Sequence, residues 1–135
     1  MVSITGEYQG DLHCSASHGP SRNELVTDAP KDNQGRGEAF SPTDLVATGY
    51  ATCIATTMAI AARRHGVDIA GLRFEVTKEM SADAPRRISR LAARIHLPAA
   101  ARQVPQGVLE RAAHTCPVHE SLAPSVERVI ELVWE

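Results

Sequence analysis

From residue 4 the chain alternates. Ile4, Gly6, Tyr8, Gly10, Leu12, Cys14 and Ala16 fall on one face, and Thr5, Glu7, Gln9, Asp11, His13 and Ser15 on the other. A period of two predicts half-buried strand. Gly10-Asp11 suits a hairpin turn, and HGPSRN marks a second turn before a strand over Glu24–Thr27. Cys14 lies on the apolar face, so it is expected to be a small buried hydrophobe. DAPKDNQGRGE carries no periodicity and reads as loop.

The next segment, SPTDLVATGYATCIATTMAIAARRHG, predicts a long helix. Ser41 suits the N-cap, Pro42 the first helical position, and Asp44 the acidic position of a capping box. Arg63, Arg64 and His65 place positive charge in the last turn, and Gly66 suits a left-handed stop. From Leu45 to Ala62 there is no charged residue. A helix apolar around its whole circumference is expected to be buried on all sides. About 24 residues at about 1.5 Å each span about 36 Å, more than one small sheet covers. A second subunit is therefore expected to help cover it.

Two strands follow. Leu72, Phe74 and Val76 alternate with Arg73, Glu75 and Thr77. After the ADAPRR turn, Leu91, Ala93, Ile95 and Leu97 alternate with Arg90, Ala92, Arg94 and His96. A helix from about Pro105 to Thr115 puts Val108, Leu109, Ala112 and Ala113 on one side. Pro117 limits its continuation, so Cys116 sits at a helix break, followed by a short helix over Pro117–Leu122. The chain closes on the strand VERVIELVW. No repeat or linker interrupts it, and residues 1–135 read as one domain.

Composition narrows the class. The 135 residues are 43% apolar, with 14 basic and 16 acidic side chains well mixed and a net charge of -2. That size and apolar content suit a single core. There is no basic tract of the kind that tracks phosphates, so nucleic acid is not an expected partner. No signal-peptide order opens the sequence, and no run approaches the roughly 20 apolar residues of a membrane span. A soluble cytoplasmic protein without a membrane partner is expected. Three cysteines, Cys14, Cys53 and Cys116, are too few for a disulfide framework.

Two of these thiols are candidates for chemistry. Cys53 is at the middle of the long helix, and Cys116 begins a short one, where free N–H groups favour thiolate. A thiol within an apolar helix has a raised pKa unless a donor or cation reaches it. For Cys53 the candidates are Arg22 and Arg36, with His114 or His119 beside Cys116. The residues alone leave a redox pair and two inert core cysteines both open. A zinc site of His114, Cys116, His119 and Cys53 is a rival, but the Cys-x2-Cys and His-x3-His spacings of structural zinc are absent. No metal and no cofactor is expected. His114 is expected on an exposed helix flank, with His119 near enough to tune Cys116.

The string SPTDLVATGYATC resembles the OsmC/Ohr family of peroxide-defence proteins, in which a Pro-led helix carries an acid, a small-residue AxGYAxC-like run and a reactive cysteine. The CPV…SL segment, 63 residues after Cys53, resembles that family's second motif, and the element order is similar along essentially the whole chain. The resemblance implies an α+β fold: antiparallel sheets around a long central cysteine-bearing helix, in an intertwined homodimer. It implies reduction of organic peroxides, with hydrogen peroxide as a further candidate substrate. Cys53 would be the peroxidatic thiolate and Cys116 the resolving one, with an external dithiol, such as dihydrolipoamide on a lipoyl protein, as reductant.

Two positions depart from the organic-hydroperoxide branch. Its first-hairpin arginine has no counterpart in EYQGDLHC, and Thr43 stands where its glutamate precedes the cysteine by ten. Asp44 matches a PTE/PTD variant of other OsmC-like proteins. The nearest substitutes are Arg22, Arg36 and Glu38, which join Cys53 and Cys116 as candidate catalytic residues. The chain therefore reads as a member of the broader OsmC-like group. A rival from another class is a non-catalytic dimer that binds a small apolar ligand in its inter-subunit cleft.

Overall fold

Strands β1 (Ile4–Gly10) and β2 (His13–His18) form an antiparallel hairpin in the computed structural model, which describes all 135 residues. The turn falls on Asp11 and Leu12, both left-handed at φ 54° and 63°, one residue later than Gly10-Asp11. Two consecutive positive φ angles give a turn whose twist matches the flanking strands. Arg22, at φ 63°, shapes the second turn and donates its N–H to the His18 carbonyl at 2.7 Å. Strand β3 (Glu24–Asp28) then pairs antiparallel with β2, placing His13 opposite Asp28 and Cys14 opposite Thr27.

The chain has two compact units, Met1–Val46 and Ala47–Glu135. In the first, one face of the sheet carries Ile4 and Tyr8, which are 66% and 62% exposed. Cys14 pairs with Tyr8 on that face and is likewise exposed, which corrects the expectation that it is buried. Alternation puts it in the apolar phase, but that face is exposed in the single chain. The loop after β3 folds back on the strand end. Gly35 is required there, because a Cβ would lie 1.7 Å from the Ala29 carbonyl oxygen.

Helix α1 (Pro42–Arg63) starts as its sequence dictates. Asp44 donates its N–H to Ser41 Oγ at 3.1 Å, and the Asp44 carboxylate accepts the Ser41 N–H at 2.9 Å. This reciprocal capping satisfies two otherwise orphaned donors. Gly66, at φ 71°, follows the helix end.

In the second unit, α1 buries Ala47, Tyr50, Ala51, Ile54, Met58 and Ala62, a single stripe. Val46 and Ile60 on other faces are 38% and 48% exposed. The expectation of burial on all sides is thus not met within one chain. The helix is long and apolar enough to cross a membrane by length and composition, contrary to the reading that no segment is, although its buried stripe is part of a core.

That core is completed by strands β4 (Arg73–Met80), β5 (Ile88–Leu97) and β6 (Glu127–Trp134). Leu91, Ala93, Ile95 and Leu97 of β5 are buried, while Arg90, Arg94 and His96 alternate outward onto Glu79, Glu131 and Glu75. Burying a side chain such as Ile54, Leu91 or Ile95 contributes about 1.5–3 kcal/mol. Strand β4 is antiparallel to β5, as expected, but β6 is parallel to it. The helical connection between β5 and β6 returns the chain to the starting end of β5, as parallel pairing requires. The architecture is a mixed α+β fold with two three-stranded sheets.

The connection contains a 3-10 turn, Ala99–Gln103, and helix α2 (Val108–Ala113). The second is shorter than the expected Pro105–Thr115, because Gly107 at φ 86° sets its start. Leu109, Ala112 and Ala113 bury the expected side. Helix α3 (Pro117–Ser121) follows at the predicted break.

Candidate functional site

Cys53 lies on α1 one helical turn after Tyr50, which is fully buried, and next to Ile54. Its own side chain is half-buried on the flank of the core. Residues three apart on a helix share a face, so Tyr50 and Cys53 present the same edge of α1.

Cys116 is the N-cap of α3, with extended backbone at φ -67° and ψ 147° and Pro117 at the first helical position. Its Sγ accepts the His119 backbone N–H at 3.3 Å. The residue is fully buried. Both thiols are free, and Cys53 is near enough to Cys116 to bear on its ionisation. Burial pushes the Cys116 thiol up, and Cys53 pushes it further, while the His119 and Val118 N–H groups oppose. The expectation that the helix start would favour thiolate is therefore corrected. The N–H groups act in the predicted direction, but desolvation is the larger effect.

Tyr50 caps this site from the helix side. Its hydroxyl is buried without a hydrogen-bond partner. Its phenol is pushed up to about 12, first by burial and then by the charge of Cys116, with Arg128 opposing. The Tyr50 ring stacks on the His119 imidazole, and His114, exposed as expected, meets His119 edge-on at 6.1 Å. Arg128 donates to the Leu122 and Ala123 carbonyls at 3.0 and 2.9 Å, holding the end of α3.

Tyr50 and Arg128 escaped the sequence reading as site residues. Both left a signal. Tyr50 precedes Cys53 by three. Arg128 occupies the inward phase of β6, opposite buried Leu91 and in step with Ile130, Leu132 and Trp134. A cation in an apolar phase requires a polar partner, here two carbonyls.

The other predicted residues belong to the first unit. Arg22 is exposed in the turn between β2 and β3. Arg36 and Glu38 are brought together: Arg36 lies 3.7 Å from Glu38 Oε1 and 3.2 Å from Asp11 Oδ2. Glu38 in turn presents Oε2 to His13 Nε2 at 3.5 Å. Asp44 is occupied by helix capping.

No curated protein matches the chain significantly. Solved structures do. A protein from Psychrobacter arcticus 273-4, described as an osmotic stress induced and detoxification response protein, is 44% identical over 98% of this chain and 96% of its own, with a TM-score of 0.86. An organic hydroperoxide resistance protein OsmC from Legionella pneumophila is 15% identical over 98% and 96%, with a TM-score of 0.78. An organic hydroperoxide resistance protein from Elizabethkingia anophelis is 14% identical over 100% and 96%, with a TM-score of 0.79. The last two show likeness of fold. The sequence model of the OsmC-like protein family matches residues 35–131, which include both Cys53 and Cys116. By that match and by the 44% identity, the chain belongs to the OsmC-like family.

Proposed function

We propose that the protein is a thiol-dependent peroxidase that reduces organic hydroperoxides through Cys53 and Cys116, as a cytoplasmic homodimer of one functional domain. The observation that carries this reading is the meeting of two free cysteines, 63 positions apart in sequence, at the flank of one core. Hydroperoxide resistance among proteins of the same fold supports the substrate class. Uncovered apolar side chains on α1, Val46 and Ile60, support the dimer.

The chemistry follows from which thiol is buried. Cys53 is the more accessible and acts as the nucleophile. Its thiolate attacks the distal peroxide oxygen, the O–O bond breaks, and an alkoxide leaves and takes a proton to become alcohol. Cys53 is then a sulfenic acid. Cys116 attacks that sulfur, hydroxide leaves as water on gaining a proton, and a disulfide forms. An external dithiol, such as a lipoyl protein, reopens it by exchange.

Burial first, and Cys53 after it, hold the Cys116 thiol protonated in the reduced protein, which suits a second thiol that acts after Cys53 has been oxidised.

Consumption of cumene hydroperoxide with a dithiol tests the assignment. Wild type turns over, and Cys53→Ser loses activity by a factor of about 100 or more, since the nucleophile is gone. Turnover by Cys53→Ser at the wild-type rate overturns it.

A further inference from the structure

The end of the first sheet holds a second grouping of reactive side chains. His13 on β2, Asp28 at the end of β3 and Glu38 in the loop before α1 place their ligand atoms within 4.8 Å of one another. His13 Nε2 lies 3.7 Å from Asp28 Oδ1 and 3.5 Å from Glu38 Oε2. We propose that His13, Asp28 and Glu38 form a binding site for a divalent transition-metal ion of the zinc class. This inference is independent of the peroxidase reading.

The histidine is set up as a ligand. Its Nδ1 lies 2.7 Å from the Asp11 carbonyl oxygen. A carbonyl only accepts, so Nδ1 carries the hydrogen. In the neutral ring Nε2 then offers a lone pair, the arrangement that fixes a metal-binding tautomer. That lone pair faces two carboxylate oxygens, which are also acceptors. With the ring neutral, three acceptors converge there with no donor among them.

Asp28 is the independent sign that something belongs there. It is fully buried. Its Oδ2 accepts the Glu38 N–H at 3.0 Å, but its Oδ1 has no hydrogen-bond partner. A buried carboxylate oxygen without a donor is costly. It is aimed at His13 Nε2.

A proton on Nε2 is the simpler occupant, and the distances disfavour it. One N–H serves one oxygen, and charge-assisted bonds of this kind are about 2.7–2.9 Å long. Both contacts here are longer. Ligands bound to zinc at about 2.0–2.2 Å in a tetrahedron are spaced about 3.3–3.6 Å apart. The His13–Glu38 separation falls in that range and His13–Asp28 just beyond it. The imidazole favours zinc or a neighbouring transition metal over magnesium or calcium.

The surrounding charge agrees. Asp11, Asp28 and Glu38 contribute three carboxylates, and Arg36 one guanidinium, which leaves two negative charges before His13 is counted. Arg36 approaches Glu38 on Oε1, so Oε2 stays available. Glu38 is about half exposed, and solvent can fill the remaining coordination position.

Zinc titration of the full chain, by calorimetry and by thermal unfolding, tests the site. The probe is zinc chloride with wild type, His13→Ala, and a Cys53→Ser/Cys116→Ser double variant. Wild type and the cysteine variant bind one zinc and gain thermal stability on binding. His13→Ala binds about tenfold or more weakly. Should His13→Ala fail to fold, Glu38→Gln, altered at a half-exposed side chain, takes its place with the same expectation. The inference is overturned if wild type takes up no zinc, if His13→Ala or Glu38→Gln binds as tightly as wild type, or if uptake is lost only with the cysteines.

Discussion

The Tyr50 ring lies 6.3 Å from the His119 imidazole, centroid to centroid, with the two planes 23° apart. Tyr50 is one turn before Cys53, and His119 accompanies Cys116, to whose sulfur it donates its N–H. The stack therefore joins the helix that carries one thiol to the helix that carries the other. Two side chains from distant sequence positions thus tie the helix of Cys53 to the helix that Cys116 caps.

Tyr50 should be valued for its ring and not for its hydroxyl. Tyr50→Phe removes a buried hydroxyl without a partner and is expected to change stability by less than about 1 kcal/mol. Tyr50→Ala empties a fully buried ring site and is expected to cost about 3–5 kcal/mol. Urea unfolding checks both. The pH dependence separates them further. The folded phenol is raised to about 12 from 10.0. A group raised on folding stabilises fully below its unfolded pKa and loses that contribution as pH climbs through the folded value. Wild-type stability should therefore decline between pH 10 and 12 more than that of Tyr50→Phe.

The cysteines should alkylate in the order of their surroundings. Cys14 is exposed on β2, whereas Cys116 is buried with its thiol pushed up. In the native reduced protein at pH 8, iodoacetamide is expected to label Cys14 and leave Cys116 unlabelled until the chain is denatured. Peptide mass mapping reads the order. Native labelling of Cys116 as fast as Cys14 would contradict the burial.

The legible part of the fold was the part governed by local rules. Ser41, Pro42 and Asp44 located the start of α1 because capping is a short-range hydrogen-bond pattern. Leu91, Ala93, Ile95 and Leu97 located the inward face of β5 by period two. What failed depended on partners distant in sequence. Cys14 is in the apolar phase of its strand, yet it is exposed in the single chain. The parallel pairing of β5 with β6 depends on where a helical crossover returns the chain. At the candidate site, Cys116 was legible as a helix start, but not the desolvation that outweighs it. His13 was read only as the polar phase of a strand. Its meeting with Asp28 and Glu38 follows from a strand register and a loop closure that no local pattern encodes.

The exposed apolar flank of α1 predicts association. Wild type should scatter light as a dimer at micromolar concentration. Ile60, 48% exposed in the single chain, contributes little to its own core. Ile60→Glu should therefore shift the protein toward monomer without unfolding it. A folded wild-type monomer at that concentration would contradict the proposed dimer.

The most direct test of the central claim is the intact mass of the protein after a stoichiometric dose of hydroperoxide. The account predicts that wild type becomes lighter by two hydrogens, with Cys53 and Cys116 joined in one peptide pair. Cys116→Ser should instead stop at a dimedone-trappable sulfenic acid and gain two oxygens in excess peroxide, since no thiol intercepts it. If wild type forms no disulfide at any dose, and overoxidises as readily as Cys116→Ser, the two thiols are neighbours without being a redox pair.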